Sequence, residues 1–429
     1  MGPIVGGWLL EHFRWAAIFI AMAPVAAAAA IGVALAVPAS KDPDAAAPDI
    51  PGLVLSSATM ALLVFTIIEA PAYGWAAARS VAGFAGSAVL LAAFIVRERR
   101  AAHPMLDVAL FRNLRFSAAS GAVTVSFFTL FGFIFLITQY FQFVRGYAPL
   151  STGVRLLPVA VSVGIGSVAG TQLAVRAGTK LVVTTGLVAV AGFYGWVAAT
   201  TSATLSYGTI AAQMVVYGLG LGLTSAPATE SIMGAISRAK AGVGSAVNDS
   251  TRLIGGTLGV AVLGSVYASI YGSRLTATMP AAVPSRIAAI AHQSVGAAYA
   301  AAGKIAAVGH PALGQALHHA STNAFLRGLT IGALVAGGVA ALGAVLAVLF
   351  LPAQPTQPAS PAADETRTAE DTHELETQTQ PPTAVHQPAA ATEHWPATDA
   401  ATGGQTLTST QQVDADPRAV AAAARRPRG

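Results

Sequence analysis

Three polar residues interrupt an apolar stretch near the middle of the chain: Asn248, Asp249 and Arg252, in VGSAVNDSTRLIGGTLGVAVLGS. Polar groups at membrane depth face a bundle interior or a wet cavity, where they bind ions, protons or ligands. Two readings stand side by side. One is a packed helical hairpin holding one internal ion pair, the other a stretch of transport pathway. Glu230, just after Pro227 on the preceding helix, pairs with Arg238, caps a helix or serves as a coupling carboxylate. Eight of the 17 phenylalanines, Phe131 among them, fall between Phe116 and Phe143. Such a wall suits flat, greasy, often cationic compounds, and equally suits lipid. Gln139, Tyr140 and Gln142 either hydrogen-bond a ligand or mark the interface. Glu69, beside Tyr73 and Trp75, is an outer carboxylate for protons or cations, or an interfacial group at the depth those rings favour. His318 and His319 are adjacent with no carboxylate nearby, a poor ligand set, so no metal is expected. Cysteine is absent, which excludes disulfides and thiolate metal sites. No phosphate-cradling glycine loop occurs, so no nucleotide or other cofactor is expected and an ion gradient is the remaining energy source.

The elements that must position these residues are membrane helices. The chain is 54% hydrophobic and 10% charged, with a mean hydropathy of +0.61, against roughly 25% charge in soluble domains. A helix crosses the bilayer in about 20 residues. Full spans are expected over 15–37, 53–70, 77–96, 116–138, 150–175, 181–200, two within 207–271, and 325–351, which makes the fold all-α, a polytopic transmembrane helix bundle. Gly218 and Gly222, and Gly255 and Gly259, are four apart, so each pair lies on one helix face and lets a neighbouring backbone approach. Residues 273–324, with Pro280, Pro284 and Pro311, read as a long loop. Residues 352–429 are rich in Pro, Thr, Gln and Ala and are expected to be disordered. That tail holds 10 of the 19 acids and 5 of the 24 basic residues. The remaining basic excess sits in short loops between apolar runs, which favours lipid headgroups and topology over nucleic acid. Loops at Lys41, Arg97–Arg115, Arg176–Lys180 and Arg238–Lys240 outweigh the short opposite loops carrying Arg14, Arg79 and Arg145. The tail is therefore expected in the cytoplasm and the long loop outside.

GLGLGLTSAPATESIMG followed by AGVGSAVNDSTRLIGGTLGVAVLGS resembles the penultimate helix pair of the fourteen-helix drug:proton antiporters of the major facilitator superfamily, the EmrB/QacA-type transporters. Three further stretches extend the resemblance over roughly residues 1 to 270. Gly2, Pro3, Gly6 and Gly7 resemble the antiporter motif at the outer end of the fifth helix; by themselves they are also ordinary small-residue packing. RERRAAHPMLDVALFRNLRF resembles the central cytoplasmic linker, with a short interfacial helix at MLDVALF. QYFQFVRGYAPLSTGVRLLP resembles an outer loop and helix entry, and its Arg155 departs from the uncharged residue expected there.

The resemblance implies a remnant of the N-terminal bundle over 1–37, two central extra helices over 38–100 and the linker over 101–115. A C-terminal six-helix bundle follows over 116–351 with an outer loop at 272–324, then a cytoplasmic tail. It also implies that the first four helices, and the acidic proton site expected on the first, do not lie within this sequence. The expected function is a secondary transporter, apparently N-terminally truncated, that exports small apolar or cationic compounds from the cell in exchange for protons. The alternative is a non-transporting membrane remnant or assembly partner; a membrane enzyme ranks below both. The expected partners are lipid, a small-molecule substrate and protons.

Overall fold

The computed structural model describes residues 2–36, 49–101, 108–236 and 241–352. The loop at Lys41, Asp42 and Asp44, the Pro104 end of the linker, the basic turn at Arg238 and Lys240 and the tail lie outside the described residues. The described chain runs as α1 (Gly2–His12), α2 (Ala16–Ala36), α3 (Ile50–Tyr73), α4 (Ala78–Arg100), α5 (Leu114–Gln139), α6 (Pro149–Arg155), α7 (Leu157–Ala177), α8 (Thr179–Thr200), α9 (Tyr207–Gly234), α10 (Ala241–Thr278), α11 (Ser285–Gln293), α12 (Val295–Ala307) and α13 (Pro311–Phe350). Among the described residues, nine spans are long and apolar enough to cross a membrane. Backbone polar groups in lipid must be satisfied internally, which is why long apolar runs become helices. Helix starts are set by side-chain caps. Asp49 accepts from Gly52 N at 3.2 Å, Asn113 from Arg115 N at 3.0 Å and Ser206 from Thr209 N at 3.2 Å.

Three boundaries differ from the sequence expectation. The span expected over 150–175 is broken at Leu156 into α6 and α7, because Pro158 lacks the N–H that would bond the carbonyl four residues back. The interfacial helix at MLDVALF is, over its described part, a 3-10 turn at Val108–Arg112. The largest difference concerns 273–324, expected as a long loop between two spans, which is largely helical. α10 runs on to Thr278, α11 and α12 follow, and α13 begins at Pro311. Pro284 and Pro311 each stand at a helix start, where a missing N–H costs nothing. The alanines that read as loop filler are core: Ala291, Ala298 and Ala324 are fully buried, as is Val295. Tyr271 pins this cap by donating to Ala291 O at 3.0 Å, and the Tyr299 and Thr322 hydroxyls meet at 2.6 Å.

Helices α5, α7, α8, α9, α10 and α13 form one bundle. α5 packs on α10, α7 on α9, and α8 on α13, while α8–α9 and α13–α5 link these pairs. Exchanging the triplet α5, α7, α8 with α9, α10, α13 maps this set of neighbours onto itself, the signature of an inverted three-plus-three repeat. At its centre Phe193 stacks on Tyr217 with centroids 4.4 Å apart, and Phe133 lies 4.9 Å from the same ring. Tyr194 satisfies its buried hydroxyl on Thr129 O at 2.7 Å. The α3–α4 hairpin joins through α3 against α10, and α1 packs on α6. α2 buries no residue among those described.

Candidate functional site

Most of the polar trio's expected neighbourhood converges at the edge of the α5–α10 seam. Gly255 and Gly259 lie against the α5 backbone: a Cβ on Gly255 would overlap Thr124 O, and one on Gly259 would sit 2.8 Å from Phe128 C. No side chain fits between the two helices there, so the residues one and two turns earlier on α10 are held at fixed distance from α5 and α9. Asn248 is buried, with 6% of its surface exposed. Its Oδ1 accepts from Thr229 Oγ1 of α9 at 3.3 Å. Arg252 donates from Nη2 to the same Thr229 oxygen at 3.2 Å, and its guanidinium lies 5.2 Å from the Phe127 ring centre. Phe131 follows one turn along α5, with its ring against Gly256, where a Cβ would fall 3.0 Å from Cδ2. Phe127, Phe131, Thr229, Asn248 and Arg252 therefore form one cluster where α5, α9 and α10 meet, with aromatic rings on α5 and polar groups on α9 and α10.

Asp249 does not join them. It is exposed, and the internal ion pair expected from the sequence is absent: among the described residues the one salt bridge is Arg97 to Asp49, at 3.0 Å. Consecutive helical residues point about 100° apart, so Asn248 faces the seam and Asp249 cannot. Glu230 is exposed and accepts from Thr171 Oγ1 at 3.1 Å; Arg238 lies outside the described residues. The remaining ligand candidates are dispersed. Tyr140 is buried, donates to Ser202 O at 2.7 Å, and lines a cavity of about 50 Å³ inside the bundle. Gln139 stands on the wall of a separate cavity of about 430 Å³, shared by Ile68, Phe135 and Gly264 and rimmed by His292 and Gln293. Gln142 is exposed on the π turn at Tyr140–Val144 that ends the span.

The Gly-Pro stretch splits by position. A Cβ on Gly7 would lie 2.7 Å from Leu150 Cα, and one on Gly153 would lie 2.8 Å from Pro3 C, so α1 and α6 meet backbone to backbone. Glu11 locks the contact by accepting from Leu150 N at 2.9 Å. Gly2 and Gly6 have open space where a Cβ would go. Arg155 stacks on a tyrosine of the preceding connection. Its guanidinium sits 4.1 Å from the Tyr147 ring centre. Beside it Arg145 donates to Ala203 O at 3.0 Å and Leu205 O at 2.9 Å. Arg145 also hydrogen-bonds the Tyr147 hydroxyl, and that bond holds the phenol below its ordinary pKa. His318 stacks on Tyr299 at 4.0 Å.

Sequence reasoning missed one buried polar knot. Asp49 Oδ1 caps α3 and takes Arg97 Nη2 of α4, and Gly52 leaves the room. A Cβ on Gly52 would stand 2.7 Å from both Asp49 Oδ2 and Glu98 Oε1. The available signal was an acid, then Gly three residues on, at the start of one span, with an Arg-Glu pair at the end of the next.

A family model described as Major Facilitator Superfamily matches residues 1–260. The chain is 36% identical over 303 residues to the multidrug efflux pump LfrA of Mycolicibacterium smegmatis, covering 70% of this chain and 59% of the relative. It is 31% identical over 362 residues to the tetracenomycin C resistance and export protein of Streptomyces glaucescens, covering 83% and 66%. It is 32% identical over 283 residues to the multidrug resistance protein Stp of Mycobacterium tuberculosis, covering 66% and 52%. The matched part thus spans between about half and two thirds of the length of these relatives.

Proposed function

Because the chain belongs to the Major Facilitator Superfamily, we propose that it serves as a membrane exporter of small, largely apolar organic compounds, driven by exchange for protons. The observation that carries this reading is the cluster at the α5–α10 seam. There a polar cluster, Thr229, Asn248 and Arg252, sits beside Phe127 and Phe131 within helices that cross the membrane. The relatives named above are efflux and resistance proteins by description, and the family match over residues 1–260 includes the cluster. In this reading α3–α4 are the central extra helices and α5–α13 are the C-terminal bundle. The chain sits in the plasma membrane with its tail in the cytoplasm, as the basic loops require. The bundle rocks about its glycine-paved seams, opening a central cavity to each side in turn. The contact of Gly7 and Pro3 with α6 closes one face between states.

The test is accumulation of a fluorescent dye in cells expressing this chain against cells carrying an empty vector, with and without a protonophore. Lower accumulation that the protonophore abolishes is the expected result. Equal accumulation with and without the chain, for neutral and charged dyes alike, removes the exporter reading.

A further inference from the structure

We infer that the cavity of about 430 Å³ beneath the α11–α12 junction is a binding site for an uncharged amphiphile. Its ligand has a compact apolar body and one neutral hydrogen-bonding head, and a hydroxyarene is the simplest form. The site begins about two turns further along α5 and α10 than Phe127 and Arg252. The inference concerns binding, which is measured apart from transport, so it does not need the exporter reading.

The space has a cause in the sequence. Val260, Gly264 and Ala268 are four apart and share one face of α10. A Cβ on Gly264 would still stand 3.5 Å from the Phe135 ring, so the two helices leave a slot there. Hydrogen bonds hold its walls apart. Ser265 donates to Ile67 O, and Trp75 Nε1 donates to Ser269 Oγ at 3.3 Å, which ties α3 to α10. Tyr271 holds the cap through Ala291 O. Ile68, on the α3 wall, is 55% exposed, so that wall reaches the surface. The volume falls within the range of small-molecule pockets, about 300–1,000 Å³.

The lining selects the ligand. Among the described residues no Asp, Glu, Lys or Arg lines the cavity. A charged ligand would leave water and find no counter-ion, a cost that a neutral one avoids. The polar groups gather at one end. His292, Gln293 and Ser294 belong to the cap that Tyr271 meets, whereas Val260 lies about three turns back along α10. Gln139, one turn beyond Phe135, donates one amide hydrogen to Phe135 O at 3.2 Å and keeps its carbonyl to accept. Ser294 Oγ accepts from Ala297 N at 3.1 Å and keeps its proton to donate. A hydroxyl head both donates and accepts, so it suits that pair, and its ring lies against Phe135 and Val260. The acyl chain of a lipid would offer the same groups only methylenes.

The purified chain in phosphatidylcholine nanodiscs is titrated with tritiated 2-naphthol at about pH 8, where an ordinary histidine is neutral. Scintillation proximity reads binding against empty nanodiscs. Saturable binding is expected. Unlabelled 2-naphthol should compete at least about tenfold better than 2-naphthoate, 2-naphthylmethylammonium or headless naphthalene. Gly264→Leu fills the slot and should weaken binding at least about tenfold. Gly164→Leu, on α7 with nothing within 4 Å, should not. Gln139→Leu should narrow the gap between 2-naphthol and naphthalene. If Gly264→Leu loses the folded protein, Ala268→Leu at the exposed rim fills the same space and carries the comparison. No binding above empty nanodiscs, equal competition by the charged probes, or full affinity in the filled variant overturns the inference. So does binding in detergent that vanishes in phosphatidylcholine, which would mark a lipid-tail site. Dye export without naphthol binding would sink this inference and leave the exporter reading standing; naphthol binding without export would do the opposite.

Discussion

Two seams of the bundle use the same packing device and differ in what they carry. In α7, Gly166 and Gly170 lie against α9; in α10, Gly255 and Gly259 lie against α5. The repeat that exchanges α5, α7, α8 with α9, α10, α13 sets these glycine pairs in equivalent places. Reading back three and seven residues from the first glycine of each pair gives Val163 and Val159 in α7, but Arg252 and Asn248 in α10. The α7–α9 seam also has glycine on both sides: a Cβ on Gly218 would lie 2.7 Å from Val159 O, and one on Gly222 would lie 2.5 Å from Gly166 C. The α5 side of the other seam is phenylalanine-rich, so its rings are left standing at the edge. The lesson is that small residues build both seams and say nothing about function. In the proposed reading the contrast in function rests on two positions that hold valine in α7 and asparagine and arginine in α10.

The largest expected effect tests the shared half of this comparison. Gly222→Ala and Gly259→Ala should each destabilise the bundle by about 1–3 kcal/mol or more, because the new methyl meets backbone that cannot rotate away. Gly164→Ala, where nothing lies within 4 Å, should be neutral or gain up to about 1 kcal/mol from helix propensity. Thermal unfolding followed by size exclusion in detergent reads the difference. If Gly222→Ala and Gly164→Ala unfold at the same temperature, the seams are not held by backbone contact.

Much of this architecture is legible in the sequence, because lipid leaves the chain few choices. Apolar runs of about 20 residues become helices, and glycines four apart become seams. The errors come from two physical sources. Alanine is both a loop filler and the best helix former, so 273–324 looked featureless until burial showed Ala291 and Ala298 in the core. Neighbours in sequence are not neighbours in space on a helix. Asp249 and Arg252 read as a pair, yet one faces out and the other faces Thr229. The contact between Asp49 and Arg97 spans 48 positions, and spacing alone could not have revealed it.

Two smaller effects sharpen the contrast between scaffold and site away from the bundle. Asp49→Ala should cost about 1–3 kcal/mol, since it strips the α3 cap and leaves Arg97 without its buried partner. Hydrogen exchange should then speed up at the adjoining ends of α3 and α4 while the α7–α9 seam stays protected. Uniform exchange across all helices would show that the hairpin and the bundle melt together. Gly7→Ala should loosen α1 from α6 by about 1–2 kcal/mol, whereas Gly6→Ala should leave the contact intact. A cysteine pair placed across α1 and α6 would report it as a lower crosslinking yield in Gly7→Ala alone. Equal yields in the two variants would make the Gly-Pro stretch ordinary packing.

The smallest expected change in stability is the most informative about the comparison itself. The double change Asn248→Val and Arg252→Val rewrites α10 with the residues that α7 already carries. It removes the bonds to Thr229 and the contact with Phe127, each worth about 1 kcal/mol. It also removes a cation that described acids do not pair, and it adds two apolar side chains beside phenylalanine. These terms oppose one another, so the unfolding temperature should move little, within what about 1 kcal/mol produces. Dye export should nonetheless fall to the vector level. A variant that stays folded and still exports would show the two seams to be equivalent in function as well as in packing, and the cluster would lose its standing as a site. A variant that unfolds would show Arg252 and Asn248 to be structural, and the reason α10 departs from α7 would then be stability rather than recognition.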